Sequence, residues 1–205
     1  MNMHKIPDII ISRLPIYLRA LQRMKEKGVQ TISSKELGEY VGISDAQIRK
    51  DISQFGEFGK QGTGYNIPYL IEKLCQILKV DRIWDVAIVG MGDMGHALAR
   101  YQGFADRGFR VVMVFDNDPK KIGQQVGNFT IEDSANLIAK ISAAGIKVVM
   151  LTVPAPAAQE VAEQLVQGGV KAILNYAPTS LNVPDDVLVQ HIDPVVHLQR
   201  MTFYL

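Results

Sequence analysis

The run VAIVGMGDMGHALARY, residues 86 to 101, sets Gly90, Gly92 and Gly95 between an apolar stretch and a helical pattern. In a strand–loop–helix unit, each glycine of this spacing has a separate task. Gly90 makes the turn after the strand, Gly92 lets a pyrophosphate approach the backbone, and Gly95 allows the helix to pack close to the strand. Met91, Asp93 and Met94 complete the loop, and the free N–H groups of the following helix would face the phosphates. Asp116 ends the next apolar run, 21 residues beyond Gly95, where a carboxylate can accept hydrogen bonds from ribose hydroxyls. Asn117 follows it instead of an arginine, which favours NADH/NAD over the phosphorylated dinucleotide, although Lys120 and Lys121 stand close by. A nucleotide of another kind, bound by a CoA-type module, is the alternative.

Catalytic partners for such a cofactor are missing from the pattern. The four histidines are His4, His96, His191 and His197; His96 abuts the loop, and the last two lie near the C-terminus with no Ser, Lys or Cys partner in view. No spacing of metal ligands occurs. About 110 residues follow the glycines, and the cofactor fold consumes nearly all of them, leaving no room for a substrate domain. The expectation is a protein that senses a cofactor and is not an enzyme. A small NAD-dependent oxidoreductase is the competing class.

The elements that would position these residues fall into two patterns. From Trp84 onward strands and helices alternate, and the strands WDVAIVG, FRVVMVFD, IKVVMLTVP and VKAILNYAP are continuously apolar. Such strands are covered on both faces, so the fold class is α/β with a Rossmann doubly wound parallel sheet. EDSANLIAKIS and PAAQEVAEQLVQGG read as crossover helices, and MGHALARYQGF as the helix after the glycine loop.

The first eighty residues read differently. Ile10, Leu14, Tyr17, Leu18, Leu21 and Met24 recur at helical spacing up to Gly28, with Pro15 marking a kink or a restart capped by Ser12. Ser33 with Glu36, and Ser44 with Gln47, have capping-box spacing, and Gly42 breaks the chain between them. That is a helix-turn-helix. In its second helix, roughly residues 45 to 55, Ile48, Ile52 and Phe55 face inward. Ala46, Gln47, Lys50, Ser53 and Gln54 project outward with Arg49 on the flank, a face of amides, small groups and cations suited to base edges and phosphates. GEFGKQGTGYNIP then reads as a hairpin with a glycine-rich tip at residues 60 to 64, including Lys60, Gln61 and Gly62. A hairpin there completes a winged helix-turn-helix domain and points to DNA, and Pro68 opens a further helix.

The 205 residues are 47% apolar and 21% charged, ordinary for a globular protein. Residues 1–80 carry 12 Lys/Arg against 8 Asp/Glu, and residues 81–205 carry 10 against 13, so the basic part is the part that reads as DNA-binding. Cys75, the single cysteine, permits no intramolecular disulfide and reads as a buried helical position. No signal peptide and no membrane span is apparent, so a cytoplasmic protein is expected. The expected domains are 1–80 (winged helix), 81–192 (dinucleotide-binding) and 193–205 (C-terminal helix).

The wording of SSKELGEYVGISDAQIRKDISQFGEFGKQGTGY, VGMGDMGHALARYQGF, FDNDPKKIG, LTVPAPAAQEVAEQLVQGGVKAILNYAP and HIDPVVHLQRMTFYL resembles the Rex family of bacterial redox-sensing transcriptional repressors over almost the whole chain. The resemblance implies a homodimer that binds palindromic operator DNA and is released by NADH. It implies a C-terminal helix, roughly residues 194 to 205, exchanged with the partner. By the same resemblance Arg49 and Lys50 are the recognition-helix cations, and Asp193 switches between Arg19 and Tyr101. The chain departs from the family pattern at Gln61, Asp93 and Pro194, which bears on the wing, the pyrophosphate loop and the nicotinamide pocket respectively.

Overall fold

The computed structural model describes residues 6–60 and 63–205; His4, Lys5, Gln61, Gly62 and the side chain of Lys60 lie outside the description. The chain divides between Arg82 and Ile83 into two compact units.

In the first unit, α1 (Asp8–Ile11) and α2 (Leu14–Glu26) are followed by β1 (Thr31–Ile32), α3 (Ser34–Val41) and α4 (Asp45–Ser53). The hairpin strands β2 (Gly59–Lys60) and β3 (Gly64–Asn66) precede α5 (Ile67–Leu78). β3 lies between β1 and β2, antiparallel to both, which is a winged helix. Strand β1 is too short to announce itself in the sequence. Leu14, Tyr17, Leu21, Leu37, Ile48, Ile52, Leu70 and Leu74 form its core, and Phe55 packs at the margin, half-buried, since α4 ends two residues before it. Ser33 and Glu36 form a complete capping box, while Gly42, at φ +73°, ends α3 in the left-handed region that only glycine adopts cheaply.

Local expectations fail in three places. Pro15 does restart the helix, but Ser12 does not cap it: its hydroxyl donates to the Ile9 carbonyl, and Arg13 occupies the cap position. Ser44 accepts the Gln47 N–H, yet the Gln47 side chain does not return the bond. Cys75 is half-buried on α5, with burial pushing its thiol pKa up.

The second unit contains β4 (Trp84–Val89), α6 (Asp93–Arg100), a 3-10 turn over Gln102–Arg107, β5 (Phe109–Asp116), β6 (Gln125–Val126), β7 (Phe129–Asp133), α7 (Leu137–Ala144), β8 (Val148–Leu151), α8 (Ala155–Gln167), β9 (Ala172–Asn175), β10 (Leu188–His191) and α9 (Pro194–Thr202). The sheet order is β10-β9-β8-β4-β5-β7-β6, parallel except for β6 against β7. Alternate residues of β4 feed opposite cores: Ala87 and Val89 pack toward α7 and α8, Val86 and Ile88 toward Ala99 of α6. The sheet is therefore wound on both faces. The β6–β7 hairpin takes up residues whose C-terminal part reads as the start of a helix in the sequence; α7 begins only at Leu137. The helix after the glycine loop likewise stops at Arg100; Tyr101 is extended, and the segment turns 3-10 from Gln102.

Candidate dinucleotide cleft and nucleic-acid interface

In an open parallel sheet a ligand belongs where the winding direction reverses. Here β4 passes first to β5 on one side and later to β8 on the other, so the reversal falls at the C-terminal ends of β4 and β8. A cleft of about 700 Å³ lies there, lined by Gly90, Gly92, Asp93, Met94, Asp116 and Lys121 among others.

Gly90 has φ +100°, and its N–H donates to the Phe115 carbonyl at 2.8 Å. The Thr152 hydroxyl, from the end of β8, donates to the Gly90 carbonyl at 2.6 Å and straps the loop in place. A β-carbon at Gly95 would stand 2.0 Å from that same carbonyl oxygen, so α6 can approach β4 only without a side chain there. A β-carbon at Gly92 would meet nothing within 4 Å. The space before the N-terminus of α6 is thus open while its flanks are tight, a cradle that fits a pyrophosphate.

Met91 enters this site through its backbone alone. Its side chain is buried in the core, and its N–H donates to Asp116 Oδ2 at 2.7 Å. Asp116 also accepts from Lys121 Nζ at 3.1 Å, and its Oδ1 accepts the Asp118 N–H at 2.8 Å. Burial pushes the Asp116 carboxyl up, but these donors outweigh it and hold the group below the usual carboxylate range. Each carboxylate oxygen can accept more than one bond, so Oδ1 keeps a position for a further donor. Asp93, the first residue of α6, is exposed at the helix N-terminus, which favours its charge locally but sets it beside the pyrophosphate seat.

On the winged helix, α4 carries Lys50 and Ser53 exposed; the Ser53 hydroxyl donates to the Lys50 carbonyl. Arg49 donates from Nη1 to Asp45 and to Ser34. Gln47 departs from expectation. It is half-buried, and its amide nitrogen donates to Asp51 Oδ1 at 2.6 Å rather than standing free on the outer face. Asp51, hidden in the charged run IRKD, is fully buried and also binds Arg13 and Tyr17. Sequence reasoning missed Asp51 and Thr152. A carboxylate one helical turn past Gln47 was the available signal for the first.

Of the expected switch residues, Arg19 is exposed on α2. The Tyr101 hydroxyl accepts from Arg107 Nη1 at 3.2 Å and its ring packs edge-on against Phe104. Asp193 caps α9 by accepting the Val195 N–H, and no hydrogen bond joins it to Tyr101 among the described residues. Pro194 is the first residue of α9, a position where its missing N–H costs nothing. No group of three or more potential metal ligands occurs among the described residues, and no described helix is long and apolar enough to cross a membrane.

Comparison with known proteins covers both units. Residues 5–53 match a DNA-binding protein N-terminus family, and residues 81–179 match the CoA binding domain family. A redox-sensing transcriptional repressor Rex of Chloroflexus aurantiacus is 51% identical over 97% of this chain and 94% of its own. Rex of Syntrophomonas wolfei is 46% identical over 100% of this chain and 98% of its own. Among solved structures, RSP in complex with β-NAD+ and operator DNA matches with a TM-score of 0.93 at 35% identity, covering 97% of this chain and 92% of that one. RSP with β-NADH matches with a TM-score of 0.89 at 33% identity, covering 98% and 94%.

Proposed function

The chain belongs to the Rex family of redox-sensing transcriptional repressors, and from that premise we propose that it binds palindromic operator DNA as a homodimer and leaves it when NADH binds. The observation that carries this reading is the pairing, in one chain, of a winged helix with a glycine cradle at a sheet reversal. A relative of matching fold has been solved with NAD+ and operator DNA together. The CoA-type alternative is weaker, because Asp116 stands at the end of β5 where a dinucleotide ribose would be met.

Gly90, Gly92, Gly95 and the start of α6 hold the pyrophosphate, and the open position on Asp116 accepts from a ribose hydroxyl. Lys121, already paired with Asp116, has its charge spent there, which supports NAD(H) over its phosphorylated form. When bound, the dinucleotide supplies a nicotinamide whose charge differs between its oxidised and reduced forms. Lys50, Arg49 and Ser53 meet DNA, with Lys60, Gln61 and Gly62 as the wing. Asp193, Arg19 and Tyr101 form the switch: a carboxylate that leaves one partner for another can link the cofactor's state to the angle between units. The dimer forms through α9, which buries none of its own residues and exposes Val195, Val196, Leu198 and Met201, with Phe203 exposed just beyond its end. The protein acts in the cytoplasm as a regulator and turns over no substrate.

A gel-shift titration on a palindromic operator tests this, with NADH and NAD+ compared at equal concentration. Release by NADH at far lower concentration than by NAD+ is expected. Steady hydride turnover with a small alcohol or hydroxy acid would sink the reading.

A further inference from the structure

The two cations of α4 are held differently. Lys50 is exposed, and its ammonium meets no acceptor among the described residues. Arg49 is clamped: Nη1 donates to Asp45 Oδ2 at 2.6 Å and to Ser34 Oγ at 2.9 Å, which uses both hydrogens of that nitrogen. Asp45 opens α4 and Ser34 opens α3, so two helices grip one edge of the guanidinium. Asp45 is itself pinned, because its Oδ1 accepts the Ala46 N–H at 2.7 Å and its charge lies at the helix N-terminus. The other edge, formed by Nε–H and Nη2–H, meets no acceptor among the described residues. Arg49 also lines an open groove with Ser33, Ser34, Thr63, Gly64 and Tyr65, where the start of α3 faces the hairpin strands.

We propose that Asp45, together with Ser34, is a positioning residue for sequence reading, holding Arg49 so that its Nε–Nη2 edge offers two parallel donors to a paired acceptor on DNA. The paired acceptors available are O6 and N7 of a guanine in the major groove, or two oxygens of a phosphate. This rests on the DNA-binding reading above. An exposed i, i+4 ion pair adds little to helix stability, so the clamp has its effect elsewhere: the fork is set before DNA arrives, and fewer rotamers are frozen on contact. A carboxylate on a DNA-facing helix is otherwise a liability, since it repels phosphates.

The test uses the full-length protein and an operator selected by it from a random duplex pool. Affinities are measured by fluorescence anisotropy for the wild type, Asp45→Asn, Ser34→Ala, Arg49→Ala and the Asp45→Asn/Arg49→Ala double variant. Asp45→Asn keeps an acceptor for the Ala46 N–H and removes the charge that holds Arg49. Operator affinity should fall about tenfold in Asp45→Asn, the scale of a bidentate contact. Affinity for random duplex, affinity for NADH and the melting temperature should stay as in the wild type. The loss should vanish in the Arg49→Ala background. Operators carrying 7-deazaguanine at single guanines, or methylphosphonate at single linkages, identify the acceptor: the modification that weakens the wild type but not Asp45→Asn marks it.

The inference is overturned if Asp45→Asn binds the operator as well as or better than the wild type, or loses the same factor with and without Arg49. A wild type that selects no duplex at all would instead defeat the DNA-binding reading from which the inference starts.

Discussion

Arg13 holds Asp51 with a parallel fork, Nε to Oδ2 at 2.6 Å and Nη2 to Oδ1 at 2.7 Å, across 38 residues of chain. Tyr17 donates to the same carboxylate at 2.7 Å, so Arg13 and Tyr17, at the start of α2, hold α4 through a charge that is fully buried. Replacing Asp51 by Ala leaves Arg13 and Tyr17 without their acceptor and should cost about 3–5 kcal/mol, read from urea denaturation at neutral pH. Tyr17→Phe removes one hydrogen bond and should cost about 1 kcal/mol. Equal losses in the two variants would contradict this arrangement.

The same carboxylate sets an acid limit. Burial pushes Asp51 up, but the bonds from Arg13, Tyr17 and Gln47 outweigh it, and the folded pKa lies below the usual value. A depressed carboxylate stabilises the fold fully above its unfolded pKa of about 3.9, and this contribution is lost as pH falls through the folded value. The urea midpoint should therefore drop below about pH 4, and drop less steeply in Asp51→Asn. Parallel pH profiles for the two proteins would assign the acid sensitivity elsewhere.

Gly92 and Gly95 make opposite demands. At Gly95 a methyl group would collide with the Gly90 carbonyl at 2.0 Å, whereas at Gly92 it would enter open space. Gly95→Ala should lose stability, about 1–3 kcal/mol for a forced shift of packed backbone, and NADH binding with it. Gly92→Ala should keep its melting temperature and still bind NADH at least tenfold more weakly, as seen by nucleotide fluorescence. Unchanged NADH affinity in Gly92→Ala would place the dinucleotide elsewhere.

Lys50 is exposed on α4, and its ammonium meets no acceptor among the described residues. Lys50→Ala should abolish specific operator binding and lower the slope of log affinity against log salt by about one if the contact is a phosphate. NADH affinity should not change. Operator binding equal to the wild type would remove Lys50 from the interface.

Asp193→Ala should separate the two halves of the switch. Operator binding survives, and NADH no longer releases it. The helix it caps should lose about 1 kcal/mol as well, so Asp193→Ser, which restores the cap without the carboxylate, is the control. Normal release by NADH in the serine variant would leave Asp193 only its capping role.

The sequence showed the features that repeat a local rule. Capping-box spacing at Ser33 and Glu36, a left-handed glycine at Gly42 and continuous apolar strands around the glycine loop are all short-range signals, and the winged helix and parallel sheet follow from them. Asp51 stayed hidden because its reason lies 38 residues away in Arg13; between Lys50 and Ile52 a carboxylate reads as part of a solvated face. Gln47 stands one helical turn before Asp51, a local signal, but its amide reads as an outward group as long as Asp51 is taken for part of a solvated face. Thr152 anchors the glycine loop from a strand 62 residues further on. The β6–β7 hairpin escaped because its strands are two and five residues long, below any clear periodicity.

The last helix carries a consequence for how the protein meets stress. Nothing in α9 is buried within its own chain. Where the proposed second copy covers it, that burial comes with assembly and is lost on dilution as well as by heat or denaturant. Operator occupancy in the proposed homodimer would then depend on the concentration of the protein as well as on NADH.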